Sequence, residues 1–153
     1  MKSKAVSAVV LAMLVFCTGY AAWAGVDEDV KALAMKGADH VEKVGKDKGS
    51  ADLMNPDGGF RKGHLFLTMS DYTGVLLANP AFPALVGHNH WDLKDPNGKY
   101  FIREAITIAK TKGSGWLEYT FTDPDTMKIG QRKAWIQAIK GMDAFIMAPV
   151  ADK

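Results

Sequence analysis

Apolar and polar positions recur along this chain with two different periods, and each change of period marks a new element. From Asp27 onward, Val30, Leu33, Ala34, Val41 and Val44 keep helical spacing, which predicts a long amphipathic helix. Asp27, Glu28 and Asp29 stand at its start and Lys43, Lys46 and Lys48 at its end, the arrangement a helix dipole favours. Gly49, followed by Asn55-Pro56-Asp57-Gly58-Gly59, is expected to close it. Leu65 to Met69 reads as a strand, Asp71-Tyr72-Thr73-Gly74 as a hairpin-like turn and Val75 to Ala78 as the returning strand. Asn79-Pro80 then opens a loop that runs through Phe82, Pro83 and Leu85 to Gly87.

The densest stretch is Asp95 to Tyr119. Asp95-Pro96-Asn97-Gly98 joins three turn formers, and a helix is expected directly after it. Phe101, Ile102, Ala105, Ile106 and Ala109 form its apolar face, while Arg103, Glu104, Lys110 and Lys112 fall mostly elsewhere. Gly113-Ser114-Gly115 ends that helix, and Trp116 to Phe121 follows as an aromatic, β-branched strand broken by Asp123-Pro124. Lys133 to Ile139 and Ala144 to Ala148 read as two more strands around a turn at Gly141. Short turns between neighbouring strands imply antiparallel pairing, so the class is α+β rather than doubly wound.

Ahead of these elements stands a segment of a different kind. Lys2 and Lys4 precede an apolar run from Ala5 to Phe16, and Ala22-Trp23-Ala24 fits a signal-peptidase site. Residues 1–24 are therefore read as a signal peptide for export to the periplasm, and residues 25–153 as one domain. A retained anchor is the rival reading, but the run is shorter than the roughly 20 apolar residues of a spanning helix. A lipidation box around Cys17 is disfavoured by the bulk of Phe16. Cleavage leaves 129 of 153 residues and, without Lys2 and Lys4, 17 basic residues against 17 acidic ones. A net charge of zero gives no case for nucleic acid or an anionic membrane surface. Cys17 is the one cysteine, so the mature chain is expected to hold no disulfide, thiolate metal site or catalytic thiol.

Several ordered short motifs carry a resemblance. Phe60-Arg61-Lys62-Gly63, Leu65-Phe66-Leu67, Asp71 with Gly74, Asn79-Pro80, Leu85-Val86-Gly87, Asp92 through Lys99 and Gly113 through Tyr119 resemble the single Cache sensor domain of bacteria, over about Val26 to Ile139. The resemblance implies a PAS-like fold: a central antiparallel sheet, a long N-terminal helix on one face and a ligand pocket on the other. It also implies extracytoplasmic binding of small molecules, often short organic acids, for signal transduction or chemotaxis. Such domains usually sit between two transmembrane helices in chemoreceptors and histidine kinases; this chain looks like a free-standing exported form. It departs from the family at Asn79, where a histidine is usual, and at His88, where a basic or polar residue follows the glycine. Its closing segment, Ala144-Phe145-Ile146-Met147-Ala148-Pro149, replaces a glycine-rich strand, and Pro149 cannot donate to a sheet ladder.

Candidate ligand groups follow from strand alternation and from the resemblance. Lys133, Trp135 and Gln137 share one face of their strand, opposite Ala134, Ile136 and Ala138, and Lys133 aligns with a family lysine. Lys133 beside Trp135 could hold a carboxylate, although a lysine with a snorkelling stem explains the same pattern. Trp116 and Tyr119 add two polar-tipped aromatics, but they point to opposite faces of a regular strand, and Tyr119 is the one that more readily belongs to the core. With His88 these form the expected site: Lys133, Trp135, Trp116, His88 and Tyr119, closed by the Asn79–His90 loop as a lid. His88 and His90 make a metal pair without a third ligand nearby, so no metal or cofactor is expected. No serine elbow, phosphate loop or nucleophile and base pair can be named. The sequence thus reads as a periplasmic sensory module for a small carboxylate, partnered by a membrane receptor or kinase. A structural protein that uses the fold without a ligand is the alternative, and an enzyme is disfavoured.

Overall fold

The computed structural model describes residues 20–151; residues 1–19 of the expected signal segment lie outside them, and its last five residues open the first helix. The N-terminal helical pattern forms two helices, α1 at Tyr20–Val44 and α2 at Lys46–Met54. The break falls at Gly45, whose φ of 87° lies in the left-handed region that glycine reaches without strain. Gly49, expected to close the helix, instead lies inside α2 and is buried against Val41. His40 Nε2 and Asp52 Oδ2, 2.8 Å apart, tie the two helices together. Val30, Leu33, Ala34, Ala38 and Val41 are buried along α1. Each of the larger ones contributes about 1.5–3 kcal/mol by leaving water. Among the described residues no helix is long and apolar enough to cross a membrane.

The strands are β1 at Thr68–Asp71, β2 at Leu76–Ala78, β3 at Ser114–Thr122, β4 at Ile129–Ala138 and β5 at Ala144–Ala151. They form one antiparallel sheet in the order β2-β1-β5-β4-β3. The last strand therefore takes the centre of the sheet, despite Pro149. Ala144 O accepts the Ile139 N–H, so Ala144 turns toward β4, and the alternate residues Phe145, Met147 and Pro149 turn their amide positions toward β1. Pairing with β1 stops at Thr68 opposite Met147, so the missing donor of Pro149 falls where no strand lies.

Alternation sends the two sides of every strand to different partners. On one face Met69, Ala78, Ala144, Ile146 and Ala148 pack under α1 and α2, joined by Trp116 and Trp135. On the other, Leu117, Tyr119, Ala134, Ile136, Phe145 and Met147 pack against α3, at Phe101–Lys112. Gly113, at φ 76°, caps α3 and delivers the chain straight into β3.

The turn before α3 seals the free edge of β3. Asp95 Oδ1 accepts the N–H groups of Asn97 and Lys99, and its Oδ2 accepts that of Thr120, at 2.9, 2.9 and 3.0 Å. Asn97 Nδ2 donates to Thr120 Oγ1, and Lys99 Nζ to Glu118 O. An outer strand with open hydrogen-bonding groups would invite pairing with another chain, and this turn occupies two of them, the Thr120 N–H and the Glu118 C=O. Burial pushes the Asp95 carboxyl up, but its three backbone donors and Lys99 outweigh that and hold it below the usual range.

Candidate functional site

The loop from Asn79 to Leu93 folds over the α3 face of the sheet and covers one side of a cavity of 60 Å3. Its floor is the sheet: Thr68 and Ser70 on β1, Tyr119 and Phe121 on β3, Arg132 on β4, Met147 and Pro149 on β5. Phe101 and Ile102 of α3 form a wall, and Asn79, Phe82, Leu85, His90 and Leu93 form the roof. The composition is that of a binding pocket, mostly apolar with a few placed polar groups. Six polar or charged residues are buried among the described residues, and four of them, Thr68, Ser70, Asn79 and Arg132, line this one cavity. The other two, Asp95 and Thr120, are accounted for by the edge turn.

Arg132 sets the electrostatics. The residue is 5 % exposed and lies directly opposite Tyr119 in the β3–β4 register, and its guanidinium donates from Nη1 to Asp123 Oδ2 at 2.7 Å. Asp123 also accepts from the backbone of Thr126 and Asp125. The Thr126 bond leads, with Arg132 and Asp125 adding to it, in holding the Asp123 carboxyl down at about 2 against the cost of its burial. Burial pushes the Tyr119 phenol up to about 12, while the charge and hydrogen bond of Arg132 pull the other way. Tyr119 is therefore neutral at any physiological pH. Arginine can only donate, so the phenol oxygen accepts from Arg132 and its proton is left to point elsewhere.

The lid is pinned at several places. Asn79 Oδ1 accepts the N–H groups of Ala81 and Phe82, both at 3.0 Å, which leaves the amide NH2 as the part of Asn79 able to serve the cavity. Gly87 N–H donates to Leu76 O, Leu76 N–H to His88 O, and the His90 ring Nε2 bonds Leu85 O at 3.0 Å. At the far end Arg103 stacks between Tyr100 and Trp91, at 3.9 and 5.2 Å from the ring centres, donates to Trp91 O at 2.8 Å and pairs with Asp92.

The residues expected from the sequence are divided by the sheet. Lys133, Trp116 and Trp135 do come together, but on the α1 face, opposite the cavity. Lys133 Nζ lies 2.8 Å from Asp27 Oδ1 of α1 and 4.8 Å above the Trp116 ring, whose centre is 5.4 Å from that of Trp135. Tyr119 alone of the five lines the cavity. His88 is exposed on the lid, and His90 turns inward, so the pair does not converge. A lid does form from the Asn79–His90 loop, over the face that Lys133 does not share. A larger open groove of 760 Å3 passes Lys133, Asp27, Asp29, Lys62, His64 and Asp125 at the end of the sheet. Its charges are matched within the protein: Lys62 with Asp29 at 2.8 Å, His64 with Asp125 at 2.7 Å, Lys133 with Asp27. No group of three or more His, Cys, Asp or Glu suited to a metal ion occurs among the described residues.

Arg132, which lines the cavity beneath the lid, is not among the residues expected from the sequence. Placing the strand start at Lys133 hid it, whereas β4 begins at Ile129. The readable signal was a charge at the position that continues the Ala134 and Ile136 face, where a buried strand should carry an apolar side chain.

The model of the single Cache domain 2 family matches residues 36–151. A curated relative, the sensor histidine kinase MctS of Rhizobium johnstonii, is 31 % identical over 98 residues; the match takes in 64 % of this chain and only 20 % of the kinase. The chain thus spans about a fifth of that relative's length. A methyl-accepting chemotaxis protein from Vibrio parahaemolyticus has the same fold, with a TM-score of 0.72 at 17 % identity over 86 % of this chain and 92 % of that one. A Cache chemosensory domain described for carboxylic acid recognition gives 0.72 at 15 % identity, covering 90 % of this chain and all of that one. A periplasmic sensor domain of a chemotaxis protein gives 0.66 at 16 % identity over 87 % and 94 % of the two chains.

Proposed function

Because the chain belongs to the single Cache domain 2 family, a family of extracytoplasmic sensor domains, we propose that it is a periplasmic sensory module that binds a small organic acid in the lid-covered cavity. The observation that carries this reading is the convergence of Arg132, Asn79, Thr68 and Ser70 on one small cavity. Three of them are held in place by partners within the protein, Thr68 Oγ1 on Met147 O, Asn79 Oδ1 on the lid backbone and Arg132 on Asp123, and so stand at the cavity in orientations a ligand can meet. Arg132 has five N–H donors, of which Asp123 takes one at 2.7 Å. The remaining donors, the Tyr119 O–H and the Asn79 NH2 suit the two oxygens of a carboxylate. Because Asp123 already balances the guanidinium, the acid is held by charge-assisted hydrogen bonds rather than by an uncompensated positive field.

The reading is of binding rather than catalysis. The His90 ring engages Leu85 O, a backbone group, and no hydrogen bond joins it to Ser70. The relation to a chemotaxis receptor and a sensor kinase supports an output through a membrane receptor or kinase partner. The proposed organisation is a signal peptide over residues 1–24 and one sensory domain over 25–153.

Calorimetric titration of the purified protein with short monocarboxylates tests the site. Binding by the parent, lost in Arg132→Gln and kept in Lys133→Ala, is the expected pattern. A folded Arg132→Gln protein that binds as tightly as the parent would sink the site, and loss of binding in Lys133→Ala alone would move it to the α1 face.

A further inference from the structure

The polar end of the cavity accounts for a carboxylate; the apolar end decides what else the acid can carry. We propose that the edge-on contact between Phe82 of the lid and Phe121 of β3 sets the upper chain length of the acid accepted. This rests on the carboxylate reading above and goes beyond it by naming the residues that choose among acids. Both rings line the cavity, and their centres lie 6.1 Å apart at an interplanar angle of 85°. Phe121 is backed by Phe101 and Tyr119, at 5.6 and 6.4 Å, on a strand paired along its whole length with β4. It cannot withdraw without disturbing the sheet. Phe82, half-buried like Phe121, sits instead in the lid and is held there by its own N–H on Asn79 Oδ1. The two rings are thus a fixed wall and a removable one.

The cavity volume of 60 Å3 is less than half the roughly 150 Å3 that holds a benzene ring, so the acids it accepts are small. A methylene that fits is worth about fourfold in Kd, whereas one that does not must part the two rings. Truncating Phe82 opens a void the size of its ring. A cavity of about 150 Å3 is enough for benzene, so the enlarged space takes a longer alkyl chain.

The test is a calorimetric series with acetate, propionate, butyrate, valerate and hexanoate on the purified parent, Phe82→Ala and Phe82→Trp. In the parent, affinity should fall about tenfold or more between propionate and valerate. In Phe82→Ala the optimum should move about two carbons longer, with about fourfold tighter binding for each added methylene up to it. Phe82→Trp should end the series earlier. Phe121→Leu should lengthen it like Phe82→Ala, and if that strand variant does not fold, the two lid variants decide. A Phe82→Ala protein with the parent's order of preference overturns the length filter and leaves the carboxylate reading intact. A folded parent that binds none of the acids overturns both.

Discussion

The two faces of the sheet carry similar side chains to different ends. Under α1, the cation Lys133 meets Asp27 and two tryptophans, and it borders the open groove at the end of the sheet. One residue earlier, on the opposite face, Arg132 meets Asp123 and Tyr119, and it borders the small cavity beneath the lid. A cation and aromatics on a strand therefore do not by themselves say what kind of space lies beside them. On the α1 face the packing partner is a helix, whose side chains interdigitate with the sheet. On the other face α3 covers only part of the sheet, and the lid bridges the remainder and leaves a void.

Four measurements sharpen or break this contrast. Ile146 and Met147 are neighbours on β5, the first fully buried under α1 and the second on the cavity wall. Ile146→Ala should cost about 2–5 kcal/mol in denaturant unfolding, with Met147→Ala toward the lower end of that range because it enlarges an existing space. Equal losses would mean that the cavity face is packed as tightly as the other. Next, Arg132→Gln should weaken acid binding by about 2–5 kcal/mol, and circular dichroism should report an intact fold.

The third concerns pH. Asp123 has a folded pKa of about 2 against roughly 3.9 for a free aspartate, so its contribution is complete above the unfolded value and is lost as pH falls through the folded one. Asp95, held low by its backbone donors, acts in the same direction. Stability should fall between about pH 4 and pH 2, and Asp123→Asn should remove part of that dependence. An unchanged acid profile in Asp123→Asn would show that the Arg132 pairing adds nothing to the fold. Smallest is Lys133→Ala. The side chains of the Lys133–Asp27 pair are 16 % and 30 % exposed, which places it between exposed and buried pairs. Its loss should cost about 1 kcal/mol in stability and change acid affinity less than about threefold.

Local patterns were enough to name the elements, because their causes are local. The turn at Asp95 to Gly98, the apolar stripe of α3, the cap at Gly113 and the aromatic strand after it all follow from residues within one turn of each other, and so do the hairpin at Asp71 and the α+β class. The family resemblance was legible for the same reason, being carried by short motifs.

The site was only half legible. Alternation establishes that Arg132, Ala134 and Ile136 share one side of β4 and that Lys133 and Trp135 share the other, but it does not say which side looks at the lid. That choice was fixed by the strand order β2-β1-β5-β4-β3, which puts α1 and α3 on opposite faces through contacts between residues far apart in the chain. A shift of one residue exchanges the faces. The break at Gly45 rather than Gly49 is a second case. Both glycines permit a turn, and the packing of Gly49 against Val41 kept that one helical. Sequence alone determined most of the elements and their order; the tertiary structure decided where the N-terminal helix breaks and which side of each element faces a packed core and which faces a space, since burial belongs to pairs of elements and not to either one.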